Sequence, residues 1–214
     1  MDETPFEPSR TLWARGGKRA FDLVVAVIAL IPGIPLLAVA ALAIKLTSRG
    51  PVFFLQVRAG RDGEPFRPVK LRTMIAARTP DPAEIVHRDH PDVTGVGRFL
   101  RRCKIDELPQ LVNVLSGRMS LVGPRPTLPD QVARYDAFKR RRLIVRPGIT
   151  GLAQVYGNTA LDWDERIRYD VHYVGHCRFW LDIRILARTV LTILLGEERF
   201  ARPFSDTFAR PDPS

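Results

Sequence analysis

A run of apolar residues near the start of the chain sets the strongest limit on what it can fold into. From Leu23 to Ile44 the sequence has 22 consecutive residues without a charged or strongly polar side chain. A helix of that length can cross the hydrocarbon core of a bilayer. The run is too long for a cleaved signal peptide, and no small-residue cleavage site leads from it into a polar domain. We therefore expect a membrane helix, with a buried core helix of a soluble protein as the alternative.

The middle of this run contains residues that interrupt helices. Pro32, Gly33 and Pro35 lie within four positions and predict a break or a sharp kink. Basic residues flank the run on both sides: Arg10, Arg15, Lys18 and Arg19 before it, and Lys45, Arg49 and Arg58 after it. Because positive charge prefers the cytoplasmic side, a re-entrant helix that returns both ends to the cytoplasm fits these flanks. An ordinary kinked transmembrane helix is the alternative.

The overall charge indicates which classes of partner the chain can bind. The chain has 214 residues, a net charge of +10 and a pI of about 10.4, which suits one catalytic domain plus a membrane segment. A basic excess suits nucleic acid, anionic membrane lipid or phosphorylated substrates. The densest basic run, residues 139–142, predicts a solvated or lipid-facing surface. Cys103 and Cys177 lack metal-site spacing and are expected to be reduced thiols.

Periodicity predicts the remaining elements. Two apolar stretches, Val52–Val57 and Phe66–Leu71, flank a turn at residues 60–63 and predict a β-hairpin. Helical spacing predicts helices at Val96–Arg102, Asp106–Leu115, Pro129–Leu143, Asp164–His176 and Leu181–Leu195. The apolar stripe of the last helix suits either a protein core or the membrane interface. The sequence thus predicts a mostly helical α+β fold, with a re-entrant membrane helix hairpin, a small cytosolic catalytic domain, a short β-hairpin and amphipathic interfacial helices.

These patterns divide the chain into four parts. We expect a flexible N-terminus over residues 1–11 and a re-entrant membrane helix over residues 12–46, broken near Pro32 and Pro35. A cytosolic catalytic domain over residues 47–200 follows, and a Pro-rich, polar tail over residues 201–214 is expected to be flexible.

Two adjacent carboxylates are the best candidates for chemistry. Asp106 and Glu107 lie among basic residues, and Asp106 is placed to cap the helix that follows. The dipole of a helix N-terminus favours a negative charge, so we expect the Asp106 carboxylate to be ionised at neutral pH. It could then serve as a nucleophile or a metal ligand, and the helix end could hold a phosphate. A capped helix with a solvated acidic first turn is the alternative.

Several ordered blocks resemble one protein family. They are Lys18-Arg19-x-Phe21-Asp22, Gly50-Pro51-Val52-x-Phe54-x-Gln56-x-Arg58-x-Gly60, Lys70-x-Arg72-Thr73-Met74, the segment from Asp106 to Ser120, Val122-Gly123-Pro124-Arg125-Pro126, Val145-Arg146-Pro147-Gly148-Ile149-Thr150-Gly151, Ala153-Gln154-Val155 and Asp170-x-x-Tyr173-Val174. Together they resemble the monotopic polyprenyl-phosphate phosphoglycosyl transferases, the small bacterial sugar transferases. The resemblance extends from about Lys18 to Leu195.

The resemblance implies a reaction, a cofactor and a location. Members of this family pass a sugar 1-phosphate from a UDP-sugar to polyprenyl (undecaprenyl) phosphate and release UMP. An aspartate forms a covalent phosphosugar intermediate, and Mg²⁺ assists. The implied place is the cytosolic face of the bacterial inner membrane, with monotopic attachment beside anionic lipid. The implied role is the start of surface glycoconjugate or exopolysaccharide assembly.

The resemblance also assigns roles to residues. Asp106 corresponds to the nucleophile and a Mg²⁺ ligand, and Glu107 to the second acid. The phosphate-binding positions are Arg125, held between two prolines, together with Arg101 and Lys70. Asp182 corresponds to a supporting acid that orients an arginine of the site. Ordinary salt bridges are the alternative for Arg101, Lys70 and Asp182.

One position departs from the family pattern, and some questions stay open. The family often has Ser-Pro at the membrane break, where this chain has Ile34 before Pro35. Pro32 and Gly33 could supply the bend instead, so the geometry of the break is open. A homodimer is possible, and no nucleic-acid partner is expected. A membrane-tethered basic nucleic-acid-binding protein or an adaptor remains the rival function. The sugar of the donor and the glycan pathway cannot be named from the sequence.

Overall fold

In a computed structural model, residues 6–75, 90–196 and 198–208 of the chain are described. They form a mostly helical α+β fold, as the sequence predicts. Their α-helices are α1 (Lys18–Thr47), α2 (Gly95–Arg102), α3 (Leu111–Leu115), α4 (Pro129–Ala133), α5 (Ala137–Arg140), α6 (Leu152–Val155), α7 (Trp163–His176), α8 (Phe179–Leu195) and α9 (Phe204–Phe208). Their strands are β1 (Phe53–Leu55), β2 (Arg58–Ala59), β3 (Pro65–Phe66), β4 (Val69–Leu71), β5 (Ser120–Val122) and β6 (Gly148–Thr150).

The long helix α1 is continuous across the position where the sequence predicts a break. A π-helical turn, Trp13–Gly17, precedes it, and both Pro32 and Pro35 lie inside it. The predicted interruption of the helix is therefore not observed, and the re-entrant hairpin is not confirmed. Each proline removes only one backbone donor, so the surrounding hydrogen bonds can keep the helix together, and an apolar medium makes unpaired backbone groups costly.

The surface of α1 excludes a soluble core helix. Within the described residues, the stretch Trp13–Thr47 is the one helix that is long and apolar enough to cross a membrane. Many of its large apolar side chains are more than half exposed: Val24, Val27, Ile28, Ile31, Ile34, Val39 and Leu42. A helix that leaves so much apolar surface unburied by protein requires an apolar environment. The chain is therefore membrane-associated.

Both halves of α1 also pack on the rest of the protein. Asp22 accepts hydrogen bonds from the Ser120 hydroxyl at 2.7 Å and from the Leu121 backbone at 3.2 Å. Near the other end, Ala40 and Ile44 belong to an apolar cluster with Leu71 and Leu100 of β4 and α2. The membrane helix therefore contributes side chains to the packed interior of the globular part.

The predicted β-hairpin is confirmed. Strand β1 pairs antiparallel with β4, and β2 pairs antiparallel with β3. A short 3₁₀ turn, Arg61–Gly63, connects the two inner strands, with Asp62 and Gly63 at positive φ. Such left-handed positions reverse the chain tightly, which explains why a glycine-containing segment joins the two arms.

A second, parallel pair of strands lies in the main core. Ser120 pairs with Gly148, and Val122 pairs with Thr150. The two segments approach each other so closely that a Cβ atom on Gly148 would lie 2.1 Å from the Gly123 nitrogen. Apolar side chains from several helices surround this pair, including Ala26, Leu111, Val114, Met119, Leu152, Tyr169, Tyr173 and Ile185. After β6 the chain turns at Gly151 into the short helix α6.

Helices α7 and α8 match the sequence prediction, whereas the predicted helix Pro129–Leu143 is divided. It forms α4, then α5, then a 3₁₀ turn at Arg141–Ile144. Asp136 explains the division, because its carboxylate accepts a 2.7 Å hydrogen bond from the Lys139 backbone and starts a new helix.

Parts of both chain ends contact the folded body. Residues 1–5 and 209–214 lie outside the described residues, but Ser9 donates from its backbone to Val174 at 3.0 Å and from its hydroxyl to Cys177 at 2.6 Å. In the tail, which the sequence predicts to be flexible from residue 201, helix α9 packs Phe204 against Tyr169. Polar composition does not predict such an aromatic contact, and the flexibility of the two ends stays a prediction.

Candidate active site

The two adjacent carboxylates lie in a 3₁₀ helix, Ile105–Gln110, that runs directly into α3. The sequence predicts Asp106 as the helix cap, and this is wrong. The cap position belongs to Lys104, whose left-handed backbone, with φ of 57°, starts the turn two residues earlier. Asp106 and Glu107 are consequently buried in the first turn, with 9% and 6% of their surfaces exposed. A solvated acidic turn is excluded.

Glu107 is bound by two cations from distant parts of the chain. The Lys70 ammonium lies 2.7 Å from Oε1 of Glu107, and the Arg125 guanidinium donates to the same oxygen at 2.8 Å. Burial by itself would raise the pKa of Glu107, but the charges of Arg125 and Lys70 hold that pKa well below its usual value. Glu107 is therefore an ionised carboxylate that gathers positive charge at one point. The structure brings together three of the predicted site residues here.

Asp106 differs from its neighbour in having no such partners. Within the described residues its carboxylate accepts no hydrogen bond and forms no ion pair of 4.0 Å or less. Its burial and the adjacent charge of Glu107 raise its pKa, the opposite of the shift expected at a helix N-terminus. A buried carboxylate that lacks hydrogen-bond donors retains its lone pairs for a metal ion or an electrophile.

The position of Lys70 depends on a buried amide that the sequence analysis assigned no role. Asn113 of α3 accepts a hydrogen bond from the Val69 backbone at 2.9 Å and donates one to the Arg67 carbonyl at 3.0 Å. These bonds fix strand β4, and with it Lys70, against the helix that follows the carboxylates. A polar residue within the apolar run 111–115 was the available signal, since a buried amide requires partners.

The position of Arg125 depends on a buried ion pair. Arg142 donates to the Asp170 carboxylate from Nε at 3.0 Å, to the Tyr135 hydroxyl at 2.8 Å and to the Arg125 carbonyl at 2.9 Å. Arg142 is only 4% exposed, so the expectation that residues 139–142 form a solvated or lipid-facing surface is wrong at this position. A buried charge with several partners organises the loop that presents Arg125.

Arg101 lies close to the carboxylates without being shown to bind them. Its Nε donates to the Thr73 hydroxyl at 2.9 Å, which joins α2 to the segment after β4. Its positive charge, together with those of Lys70 and Lys104, offsets part of the rise in the pKa of Asp106. This position combines a structural contact with an electrostatic effect on the site.

Asp182 supports a different part of the molecule from the one predicted. It is fully buried and accepts hydrogen bonds from Lys18 at 2.7 Å, Trp13 at 2.8 Å and Tyr173 at 2.8 Å. None of these partners is an arginine, so the expected arginine contact is not found among the described residues. Asp182 instead ties the beginning of α1 to α7 and α8, because a buried carboxylate requires a cation and hydrogen-bond donors.

Arg58 adds a further cation that the sequence analysis assigned no role. The Ala59 backbone donates to the Thr127 carbonyl at 2.8 Å, which places strand β2 beside the loop of Arg125. Arg58 donates to the neutral Gln56 side chain at 2.5 Å. Burial and the nearby charge of Arg125 lower the pKa of Arg58 to about 10. Crowding of cations around few carboxylates is typical of a site that binds an anion.

Comparison with known proteins gives this arrangement a family. The model of the bacterial sugar transferase family matches residues 13–196, which include the membrane helix, the hairpin and both carboxylates. The chain belongs to the bacterial sugar transferase family. This confirms the resemblance found in the sequence and places the chain among the phosphoglycosyl transferases.

Individual members of the sugar transferase family are similar over most of this chain. An uncharacterized sugar transferase, EpsL of Bacillus subtilis (strain 168), is 43% identical over 180 residues, which span 84% of this chain and 88% of that protein. The UDP-N-acetylgalactosamine-undecaprenyl-phosphate N-acetylgalactosaminephosphotransferase of Aeromonas hydrophila is 44% identical over 185 residues. That match covers 84% of this chain and 44% of the relative, so the chain spans less than half of that longer protein.

The name of a third relative specifies a different sugar. The UDP-glucose:undecaprenyl-phosphate glucose-1-phosphate transferase of Caulobacter vibrioides (strain ATCC 19089 / CIP 103742 / CB 15) is 44% identical over 200 residues, covering 86% of this chain and 72% of that protein. Relatives at the same identity thus carry names with different donors, so similarity to them does not select a sugar.

The donor set of the sugar transferase fits a magnesium ion. Asp106 is a carboxylate without hydrogen-bond partners among the described residues, and burial together with the charge of Glu107 raises its pKa. No group of three or more His, Cys, Asp or Glu side chains among the described residues forms a complete protein cage. Magnesium typically binds one or two carboxylates and completes its shell with water and substrate phosphates, and a carboxylate such as Asp106 is compatible with that kind of site.

Proposed function

We propose that this chain transfers a sugar 1-phosphate from a UDP-sugar to a polyprenyl phosphate, such as undecaprenyl phosphate, and releases UMP. The observation that carries the proposal is a pair of adjacent carboxylates in unlike surroundings. Asp106 is buried without a hydrogen-bond or ion-pair partner among the described residues, whereas Glu107 is bound by Lys70 and Arg125. A free carboxylate beside clustered cations suits attack on a phosphorus atom whose oxygens carry negative charge. The names of the relatives from Aeromonas hydrophila and Caulobacter vibrioides include undecaprenyl phosphate as the acceptor.

The proposed reaction has two displacements at one phosphorus. A carboxylate oxygen of Asp106 forms a bond to the β-phosphorus of the donor, and the bond from that phosphorus to the UMP oxygen breaks. An oxygen of the polyprenyl phosphate then attacks the same phosphorus, and the bond to Asp106 breaks. The first step stores the sugar phosphate on the protein, and the second restores the carboxylate. Two separate steps avoid bringing two anionic substrates together at once.

The cations have defined tasks in this scheme. Lys70 and Arg125 meet at Glu107, so both charges are fixed next to Asp106 before any substrate arrives. Fixed charges need little rearrangement when negative charge shifts toward the leaving oxygen. Magnesium, when bound at Asp106, would neutralise charge on the donor diphosphate and make its phosphorus a better electrophile.

We also propose that the reaction occurs at the cytosolic face of the bacterial inner membrane, with α1 as a monotopic, re-entrant anchor. Asp22 near the start of α1 binds β5, and Arg72 donates 3.0 Å hydrogen bonds to Ser48 just after its end. Both ends of the helix therefore bind the same folded body, which supports a helix that enters and leaves the membrane from one side.

Helix α8 is proposed to lie at the membrane interface. The most buried residues of α8 are Asp182, Ile185 and Thr192, and Leu181 and Leu186 pack against the main core. Large apolar residues elsewhere on the helix are exposed: Trp180, Val190, Leu191, Leu194 and Leu195. An exposed apolar face with tryptophan near one end suits the boundary between lipid headgroups and acyl chains.

The test of the transfer reaction is magnesium-dependent UMP release from a panel of UDP-sugars. Purified protein in detergent is supplied with undecaprenyl phosphate, and wild type is compared with Asp106→Asn. We expect release by wild type with at least one donor, which names the sugar, and a loss of more than about 1,000-fold in the variant. Equal release by Asp106→Asn would exclude this residue as the nucleophile.

The covalent step has its own measurement. Wild-type protein mixed with the responding UDP-sugar, without acceptor, is expected to gain the mass of one sugar phosphate on a peptide that contains Asp106. Addition of undecaprenyl phosphate should remove that mass. UMP release without a labelled peptide would favour direct transfer between the two substrates.

A further inference from the structure

Strand β1 places an aromatic side chain on the same side as the carboxylates. In the β1–β4 pair, Phe54 lies directly opposite Lys70. Side chains of directly opposed residues point to the same face of a sheet, with Cβ atoms about 5 Å apart. Lys70 binds Glu107 at 2.7 Å, so the face that carries Phe54 is the face of the active site.

The surface of β1 is unusually apolar for an edge strand in contact with solvent. Phe53, Phe54 and Leu55 are 50%, 38% and 52% exposed. Within the described residues β1 pairs on one side only, with β4, so its other edge is open. Three consecutive large apolar side chains at an open edge are normally covered by a partner of the same character.

The opposite face of β1 adjoins the base of the membrane helix. Phe53 pairs with Leu71, and Leu71 belongs to the buried cluster that contains Ile44 of α1. Arg72, the next residue, donates from its side chain to the Ser48 carbonyl at 3.0 Å and from its backbone to the Val52 carbonyl at 2.8 Å. The β1–β4 pair is thus fixed where α1 ends, so β1 lies near both the end of the membrane helix and the active site.

The position of β1 indicates which substrate it contacts. A nucleotide donor arrives from water, whereas a polyprenyl phosphate has to bring its phosphate out of the bilayer while its chain stays in apolar surroundings. Strand β1 offers that chain apolar contacts at both places, through Phe53 near the end of α1 and through Phe54 on the face of the carboxylates. We infer that β1, chiefly through Phe54, binds the isoprene units next to the phosphate of the acceptor and thereby positions that phosphate for the second displacement.

This inference rests on the proposed function and concerns only its second step. It therefore predicts a separation between the two half-reactions. In Phe54→Ser, the burst of UMP from a UDP-sugar without acceptor should match wild type, because the donor step does not use the apolar surface. The KM for undecaprenyl phosphate should rise about tenfold, as expected for losing the burial of most of a phenylalanine side chain. The KM for the UDP-sugar should stay within about twofold of wild type.

Two further variants control the kinetic test. Phe54→Leu keeps an apolar side chain at the same position and is expected to restore most of the affinity for the acceptor. Phe138→Ser removes an aromatic side chain of similar exposure from α5, outside the β1–β4 pair, and should leave both KM values unchanged. A rise in the KM for the UDP-sugar instead would assign Phe54 to the uracil ring and overturn the inference. Unchanged KM values in Phe54→Ser would overturn it as well.

A second measurement uses wild-type protein, so it does not depend on the folding of a variant. A polyprenyl phosphate analogue with a benzophenone in its first isoprene unit is irradiated with the protein in nanodiscs. Labelling is expected on the peptide that contains residues 53–55 and should be reduced by excess undecaprenyl phosphate. Labelling confined to α8 or α1 would contradict this placement. Failure of wild type to release UMP from any donor would count against the proposed function, which is a different outcome.

Discussion

The guanidinium of Arg142 donates a hydrogen bond of 2.9 Å to the backbone carbonyl of Arg125. The side chain of Arg125 then binds Glu107 at 2.8 Å. A residue from the most basic run of the chain thus supports the active site from inside the protein. Its charge is balanced there by Asp170, so this arginine is unavailable to lipid or nucleic acid.

Loss of Arg142 should destabilise the fold. Arg142→Leu leaves the Asp170 carboxylate buried without its cation, which typically costs about 3–5 kcal/mol. The pKa of Asp170, already raised by burial, should rise further because Arg142 now lowers it. Thermal unfolding in detergent measures the effect. The double variant Arg142→Leu/Asp170→Leu should recover much of the loss, whereas Arg134→Gln at an exposed position should change stability by less than about 0.5 kcal/mol.

The pH at which the reaction rate falls on the acid side should depend on the charges around Asp106. The reactive carboxylate is lost as pH falls through its pKa, and burial together with Glu107 places that pKa above its usual value. Removal of a nearby cation raises it further, so Lys70→Met should shift the acid limb to higher pH. Removal of the neighbouring negative charge lowers it, so Glu107→Gln should shift the limb to lower pH. Single-turnover UMP release against pH measures both, and shifts of the same sign would contradict this assignment.

The close approach of the two parallel strands should leave no room for a side chain at Gly148. In Gly148→Ala the new Cβ atom would lie 2.1 Å from the Gly123 nitrogen, so the backbone has to move. We expect a loss of about 3 kcal/mol of stability, measured as a lower Tm. Gly95→Ala is the matched control, because a Cβ atom there meets nothing within 4 Å. A similar Tm for both variants would show that the strands can separate without penalty.

The prolines of α1 should control its topology. Pro32→Ala combined with Pro35→Ala restores two backbone donors and favours a straight membrane span. A straight span would carry the N-terminus to the periplasm. A cysteine added at the N-terminus and labelled with a membrane-impermeant maleimide reports its side. If the N-terminus of the double variant stays cytoplasmic, the prolines do not cause re-entry, and contacts such as that of Asp22 with β5 hold both ends in place.

Local patterns in the sequence were sufficient for much of the fold. The hairpin, α7 and α8 are confirmed because alternation, turn residues and helical spacing depend on near neighbours in the chain. The same patterns failed at residues 129–143, where the side chain of Asp136 starts a new helix. At Pro32 and Pro35 the helix continues, so the predicted break is not observed, and a sharp kink there stays a prediction.

The sequence by itself determined the apolar anchor, the order of the motifs and the two adjacent carboxylates. Only the tertiary structure decided that Lys70 and Arg125, 37 and 18 residues from Glu107, bind the same oxygen of that residue. It alone decided that Asp106 has no hydrogen-bond or ion-pair partner among the described residues, and that Arg142 is buried. Periodicity reports what a residue does within its own helix or strand. The partners of a charge depend instead on how distant segments pack, because burial removes water and leaves only the groups that the fold brings together.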